Sequence, residues 1–171
     1  MAEFLTRGQA SGVRGQASGV RGQDVRAFLA RAAREPFVWG VSDCFLLAAD
    51  WVLSCGRRDP AIGWRGTYRS ALAARRLLRR AGGAEALARD AMRGFAEFDP
   101  EAEAPRDGDV GLVEGGLELR RGRPWLSHAA ALHVNGLWVV RTPKSLIGGR
   151  SPLIVAVAGW RVLGSSPRIE T

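Results

Sequence analysis

The chain has 171 residues, 46% of them hydrophobic, which is enough for one compact domain with its own core. The net charge is +8 and Lys144 is the only lysine, so the positive charge is almost all arginine. No apolar run approaches the ~20 residues that span a bilayer. Two cysteines are too few for a disulfide framework, and two histidines without ligand-type spacing argue against a metal centre. Nothing in the pattern requires a cofactor.

The arginine excess would suit a polyanion. No aromatic-interleaved basic platform or nucleic-acid motif accompanies it, so an ordinary solvated surface is expected and nucleic acid is not the expected partner.

The chain starts "MAEFLTRGQ", without the apolar stretch of a secretory signal, so synthesis in the cytoplasm is expected. Residues 7–20 repeat "RGQASGV" twice, too few copies for a solenoid and too poor in large apolar residues for a core face. Residues 1–22 therefore read as a flexible tail, and 23–171 as a single domain.

From Gln23 the pattern becomes helical. Val25, Phe28, Leu29 and Ala32 share one face, Asp24 is a candidate N-cap, and Pro36 ends the element. In "PFVWGVSDCFLLAADWV", Ser42 or Asp43 can cap a helix over 44–55 that is apolar on nearly every side except at Asp50. Such a helix belongs in the middle of a domain. On one helix, Cys44 and Cys55 lie about 16 Å apart along the axis, too far for a disulfide. Gly56 closes the helix.

"TYRSALAARRLLRRAGG" predicts a second helix, with Tyr68, Leu72, Leu77 and Leu78 near one face and arginines over much of the rest. "AEALARDAMRGF" predicts a short third helix. After Pro105 the character turns to strand. "DVGLVE" and "LELR" read as a hairpin around Gly115-Gly116. "SHAAALHV" and "LWVVRT", joined by Asn135-Gly136, form the strongest hairpin signal. "PLIVAVAGWRVL" is a last strand. Helices followed by an antiparallel sheet make an α+β fold.

Cys44 at a helix start sits at the positive end of the dipole, which favours a thiolate. A nucleophilic thiol also needs an imidazole in reach. His128 and His133 are five apart on one strand and so face opposite ways. His128 shares its face with Ala130, Leu132 and Val134, the larger apolar face, and is the better candidate to meet the Cys44 helix. His133 reads as a surface or half-buried residue, and Asp43 as a cap.

"DC" opening a buried helix, then "RDGDVGLVE", then "SHAAALHVNGLWVV", resembles the NlpC-type cell-wall cysteine peptidases of the papain-like superfamily. The span 24–163 also resembles a family of uncharacterised proteins from prophages and phage tail gene clusters. The resemblance implies a papain-like α+β fold, Cys44 as nucleophile, His128 as base and Gly108-Asp109 as a structural pair. It implies peptidoglycan peptide as substrate or phage tail proteins as partners, and assembly into a phage-like particle. The chain departs from the peptidase pattern in three places. Phe37 stands where those enzymes carry a tyrosine hydroxyl, Phe45-Leu46 replace Ser-Gly, and the third catalytic position falls at Val140 and Arg141. A backbone carbonyl or Thr142 would have to orient the imidazole. Two readings stay open: an active tail-associated thiol hydrolase, and the same fold retained as an inactive component of tail assembly.

Overall fold

The structure is a computed structural model that describes residues 24–115, 119–120, 123–124, 128–150 and 154–164. The tandem repeat, and with it the expected flexible tail, lies outside the described residues. The Asp24 carboxylate accepts the Arg26 N–H at 2.8 Å and starts α1 (Val25–Ala32). Val25, Phe28, Leu29 and Ala32 are buried, as their spacing predicts. The apolar α2 (Leu46–Ser54) is buried on most sides and ends before Gly56, whose φ of +73° a side chain would resist. α3 (Ala71–Arg80) and α4 (Ala84–Ala91) complete the helical half.

Among the described residues eight strands follow: β1 (Ala96–Phe98), β2 (Val110–Gly115), β3 (Leu119–Arg120), β4 (Arg123–Pro124), β5 (His128–Val134), β6 (Leu137–Arg141), β7 (Leu146–Gly149) and β8 (Ile154–Arg161). Six form one antiparallel sheet in the order β1-β8-β2-β5-β6-β7, and β3 and β4 pair separately. The architecture is α+β. The Asn135-Gly136 hairpin forms as predicted, with φ of +51° and +72° at its two turn residues.

Three expectations are corrected. β2 does not form a hairpin with β3; β5 and β8 pair along its two sides and leave no edge for it. The short edge strands β1 and β7 were not legible, because three or four residues carry too little alternation. The helix expected from "TYRSALAARRLLRRAGG", α3, begins only at Ala71, with the Ser70 hydroxyl accepting the Ala73 N–H at 3.2 Å. Tyr68 therefore belongs to the preceding loop, and Leu72 is 57% exposed and does not share the buried face.

The two faces of the sheet bury different sets. Val110, Leu112, Ala130, Leu132 and Trp160 pack with Phe28, Leu47, Trp51 and Val52 of the helical layer. Val113, Ala129, Ala131, Trp138 and Val140 form a second cluster with Phe98 and Ile154. The side chain of Cys44 belongs to this second cluster.

Candidate active site

The segment 36–46 is built around Asp43, which is fully buried. One carboxylate oxygen accepts the Phe45 and Leu46 N–H groups at 3.0 and 3.1 Å. The other accepts the Gly40 N–H at 2.8 Å and the Tyr68 hydroxyl at 2.6 Å. The Asp43 carbonyl also accepts the Leu47 N–H at 3.0 Å, so the helical turn begins here. Of the two candidate caps, Asp43 does the capping; the Ser42 hydroxyl donates instead to the Pro36 carbonyl at 2.6 Å. Four donors satisfy the buried charge, without which its burial would be costly.

Gly40 explains the Trp-Gly in the motif. Its φ is +73°, and a Cβ there would collide with the Tyr68 carbonyl oxygen. The Gly66 N–H donates to the Gly40 carbonyl at 2.9 Å, tying the two loops together. Arg65 anchors the second loop by bridging Asp50 of α2 and Asp59, each at 2.8 Å.

Cys44 is 2% exposed. Burial pushes its thiol well above the usual range, and the adjacent Asp43 carboxylate pushes it further. The nearby backbone N–H groups of Cys44 and Phe45 oppose this without offsetting it. The expected helix-start thiolate is therefore corrected to a neutral thiol. Asp43 occupies the helix-start amides of Phe45 and Leu46, and its own charge opposes a second negative charge next door.

His128 is the first residue of β5, half-buried and paired across the sheet with Glu114. Alternation places it on the face of Ala130 and Leu132, where the body of α2 packs, as the sequence reading expected. The Cys44 side chain packs instead among residues of the opposite face, such as Ala129 and Ala131.

The supporting candidates have other tasks. Phe37 is half-buried, edge-on to Trp39 with centroids 4.9 Å apart. Thr142 holds its own turn: its hydroxyl donates to the Ser145 carbonyl at 2.9 Å and accepts the Lys144 and Ser145 N–H groups. Val140 is core. Arg141 is a buried staple that donates to the carbonyls of Ala32, Glu35 and Ser42, closing the end of α1 onto the loop before Asp43.

Gly108 and Asp109 hold the start of β2 in place. The Trp51 indole donates to the Gly108 carbonyl at 2.7 Å, joining α2 to the start of β2. The Gly108 N–H meets the His133 carbonyl, and the His133 N–H meets the Asp109 carbonyl, both at 2.9 Å. The Asp109 carboxylate pairs with Arg161, which lies over the Phe98 ring. His133 is buried, not half-exposed. Its ring is edge-on to Trp138 at 5.1 Å, and Nδ1 lies 3.7 Å from Asp107.

Tyr68 is the residue that sequence reasoning misplaced. It is the only tyrosine, and its buried hydroxyl needed a partner. Ser70, a cap-type residue two positions after it, with Gly66 two positions before, was the available signal that it preceded the helix. Beside it, Trp39, Phe45, Trp64, Leu77 and Leu78 line a shallow apolar cleft. A second runs along α2 and α4 past Ala48, Leu87 and Met92. No described helix is long and apolar enough to cross a membrane.

No curated protein and no solved structure matches the chain. Residues 20–162 match the model of a family described as a domain of unknown function (DUF6950), and the chain belongs to that family.

Proposed function

We propose that the protein is a thiol hydrolase with a papain-like fold of the NlpC type, associated with a phage or prophage tail and acting on peptide bonds of bacterial peptidoglycan. The supporting observation is the turn around Asp43, whose four hydrogen bonds fix Cys44 immediately ahead of the buried α2. Because the thiol is neutral, the reading requires general-base chemistry rather than a preformed thiolate–imidazolium pair. Cys44 Sγ would attack the amide carbonyl as its proton passes to an imidazole that hands it to the leaving amine; His128, on the sheet face opposite the Cys44 cluster, fills this role only if substrate binding brings its ring round to Sγ. Water, deprotonated by the same imidazole, would then cleave the thioester and restore the thiol. The Cys44 N–H would face the oxyanion.

The test is release of soluble fragments from purified sacculi. Wild type should release them, and Cys44→Ala and His128→Ala should lose at least about a hundredfold. Equal release by Cys44→Ala ends the hydrolase reading. A second reading is favoured by the 2% exposure of Cys44: the fold retained without turnover as a component of tail assembly. In that case wild type and Cys44→Ala would copurify equally with tail proteins, and neither would digest sacculi.

A further inference from the structure

The arginines of this protein sort into two groups. Arg26, Arg65, Arg89, Arg93, Arg106, Arg141 and Arg161 all lie within ion-pair distance of carboxylates. Residues 66–84 hold five arginines and no acidic residue, in a chain whose net charge is +8. Among the described residues, Arg69, Arg76, Arg79 and Arg80 form no ion pair, and all are exposed. The nearest carboxylates along the chain are already engaged, Asp59 with Arg65 and Glu85 with Arg89.

The fold fixes which way these charges point. Leu77 and Leu78 of α3 face the cleft shared with Trp39, Phe45 and Tyr68, while Ala74 is buried. At 100° per residue, Arg75, Arg76, Arg79 and Arg80 fall in an arc of about 140° on the other side. Arg75/Arg79 and Arg76/Arg80 are i,i+4 pairs, spaced by about 6 Å along the axis. The helix thus turns its apolar side to the cleft beside Tyr68 and presents Arg76, Arg79 and Arg80 outward.

We infer that this outer face of α3 docks a phosphate-bearing anionic polymer of the cell wall and so holds the protein on its substrate. The inference rests on the wall-hydrolase reading for the choice of polymer. The chemistry rests on the guanidinium fork, which pairs with phosphate oxygens two at a time. A membrane surface fits less well. A helix that lies on lipid buries its apolar side in the bilayer, and here that side is turned into the protein, leaving only Leu72 outside.

The test is cosedimentation with purified sacculi, using full-length Cys44→Ala protein so that digestion cannot intervene. Sacculi carrying their phosphodiester polymers should bind, and sacculi stripped with hydrofluoric acid should bind at least about tenfold more weakly; raising salt should also release the protein. Arg76→Gln with Arg80→Gln should weaken binding to the intact sacculi by about tenfold, as should Arg79→Gln with Arg80→Gln. Circular dichroism establishes that these exposed variants fold. Arg31→Gln with Arg34→Gln removes the same charge from the end of α1 and the turn after it, and should have little effect. Equal binding to stripped sacculi, or equal loss from the α1 and α3 variants, overturns the inference. So does tighter binding to duplex DNA or to anionic vesicles than to the intact sacculi. Digestion of sacculi by wild type without polymer-dependent binding would sink the docking surface and leave the hydrolase standing. Binding without digestion would do the reverse.

Discussion

The Tyr68 hydroxyl donates a 2.6 Å hydrogen bond to the Asp43 carboxylate, across 25 positions of sequence and with both residues buried. It is the only side chain among the four donors Asp43 receives; the others are backbone amides. Tyr68→Phe deletes this bond and keeps the ring. A buried hydrogen bond to a charged group is worth about 1.5–3 kcal/mol, so urea denaturation should show a loss of that size. A loss under about 0.5 kcal/mol would mean that the carboxylate finds another donor.

Gly40→Ala should cost more. The backbone there is left-handed, and the added methyl would meet the Tyr68 carbonyl oxygen, which is backbone and cannot rotate away. The strain and the broken Gly66–Gly40 tie together predict a loss of about 3 kcal/mol or more, seen as a large drop in melting temperature. An unchanged melt would show that the two loops can separate freely.

The thiol of Cys44 gives a pH test. Burial and then Asp43 raise its folded value above the unfolded one. The associated stability is present below the unfolded thiol range and is lost as pH rises through the folded value. Native protein should therefore alkylate at Cys44 with iodoacetamide far more slowly than urea-unfolded protein at mildly alkaline pH, with the site read by mass spectrometry. Rapid labelling of the native thiol at neutral pH would instead require a preformed thiolate.

Asp59 predicts the acid side. Burial pushes its carboxyl up, but the Arg65 hydrogen bonds and then the Ala61 N–H outweigh burial and hold it below the usual range. A depressed carboxyl stabilises the fold above its unfolded value, and that contribution disappears as pH falls through the folded one. Asp59→Asn should flatten this part of the acid limb in a pH series of denaturation midpoints. Parallel curves for the two proteins would remove Asp59 from the account.

The helices and the last hairpin were legible because their signals are local. Asp24 ahead of a helical stripe and Asn135-Gly136 between two apolar runs specify structure within a few residues. The partners of β2 were not, because β5 and β8 come from distant parts of the chain and nothing in "DVGLVE" names them. At the candidate site, Asp43 as cap followed from its place before an apolar run. Its link to Tyr68 did not, since a hydrogen bond between remote loops leaves no periodic trace. The neutral state of Cys44 also escaped the sequence. Helix position argues for a thiolate, and only the burial and the ionised neighbour reverse that sign.

The bond between Tyr68 and Asp43 bears on how related chains should be interpreted. Trp39, Gly40, Asp43 and Tyr68 all serve to close two loops upon each other, and none needs a substrate to be useful. A lineage that abandoned hydrolysis would still be held to these four positions by the demands of folding. Their presence in another sequence therefore reports an intact scaffold and carries no information about turnover.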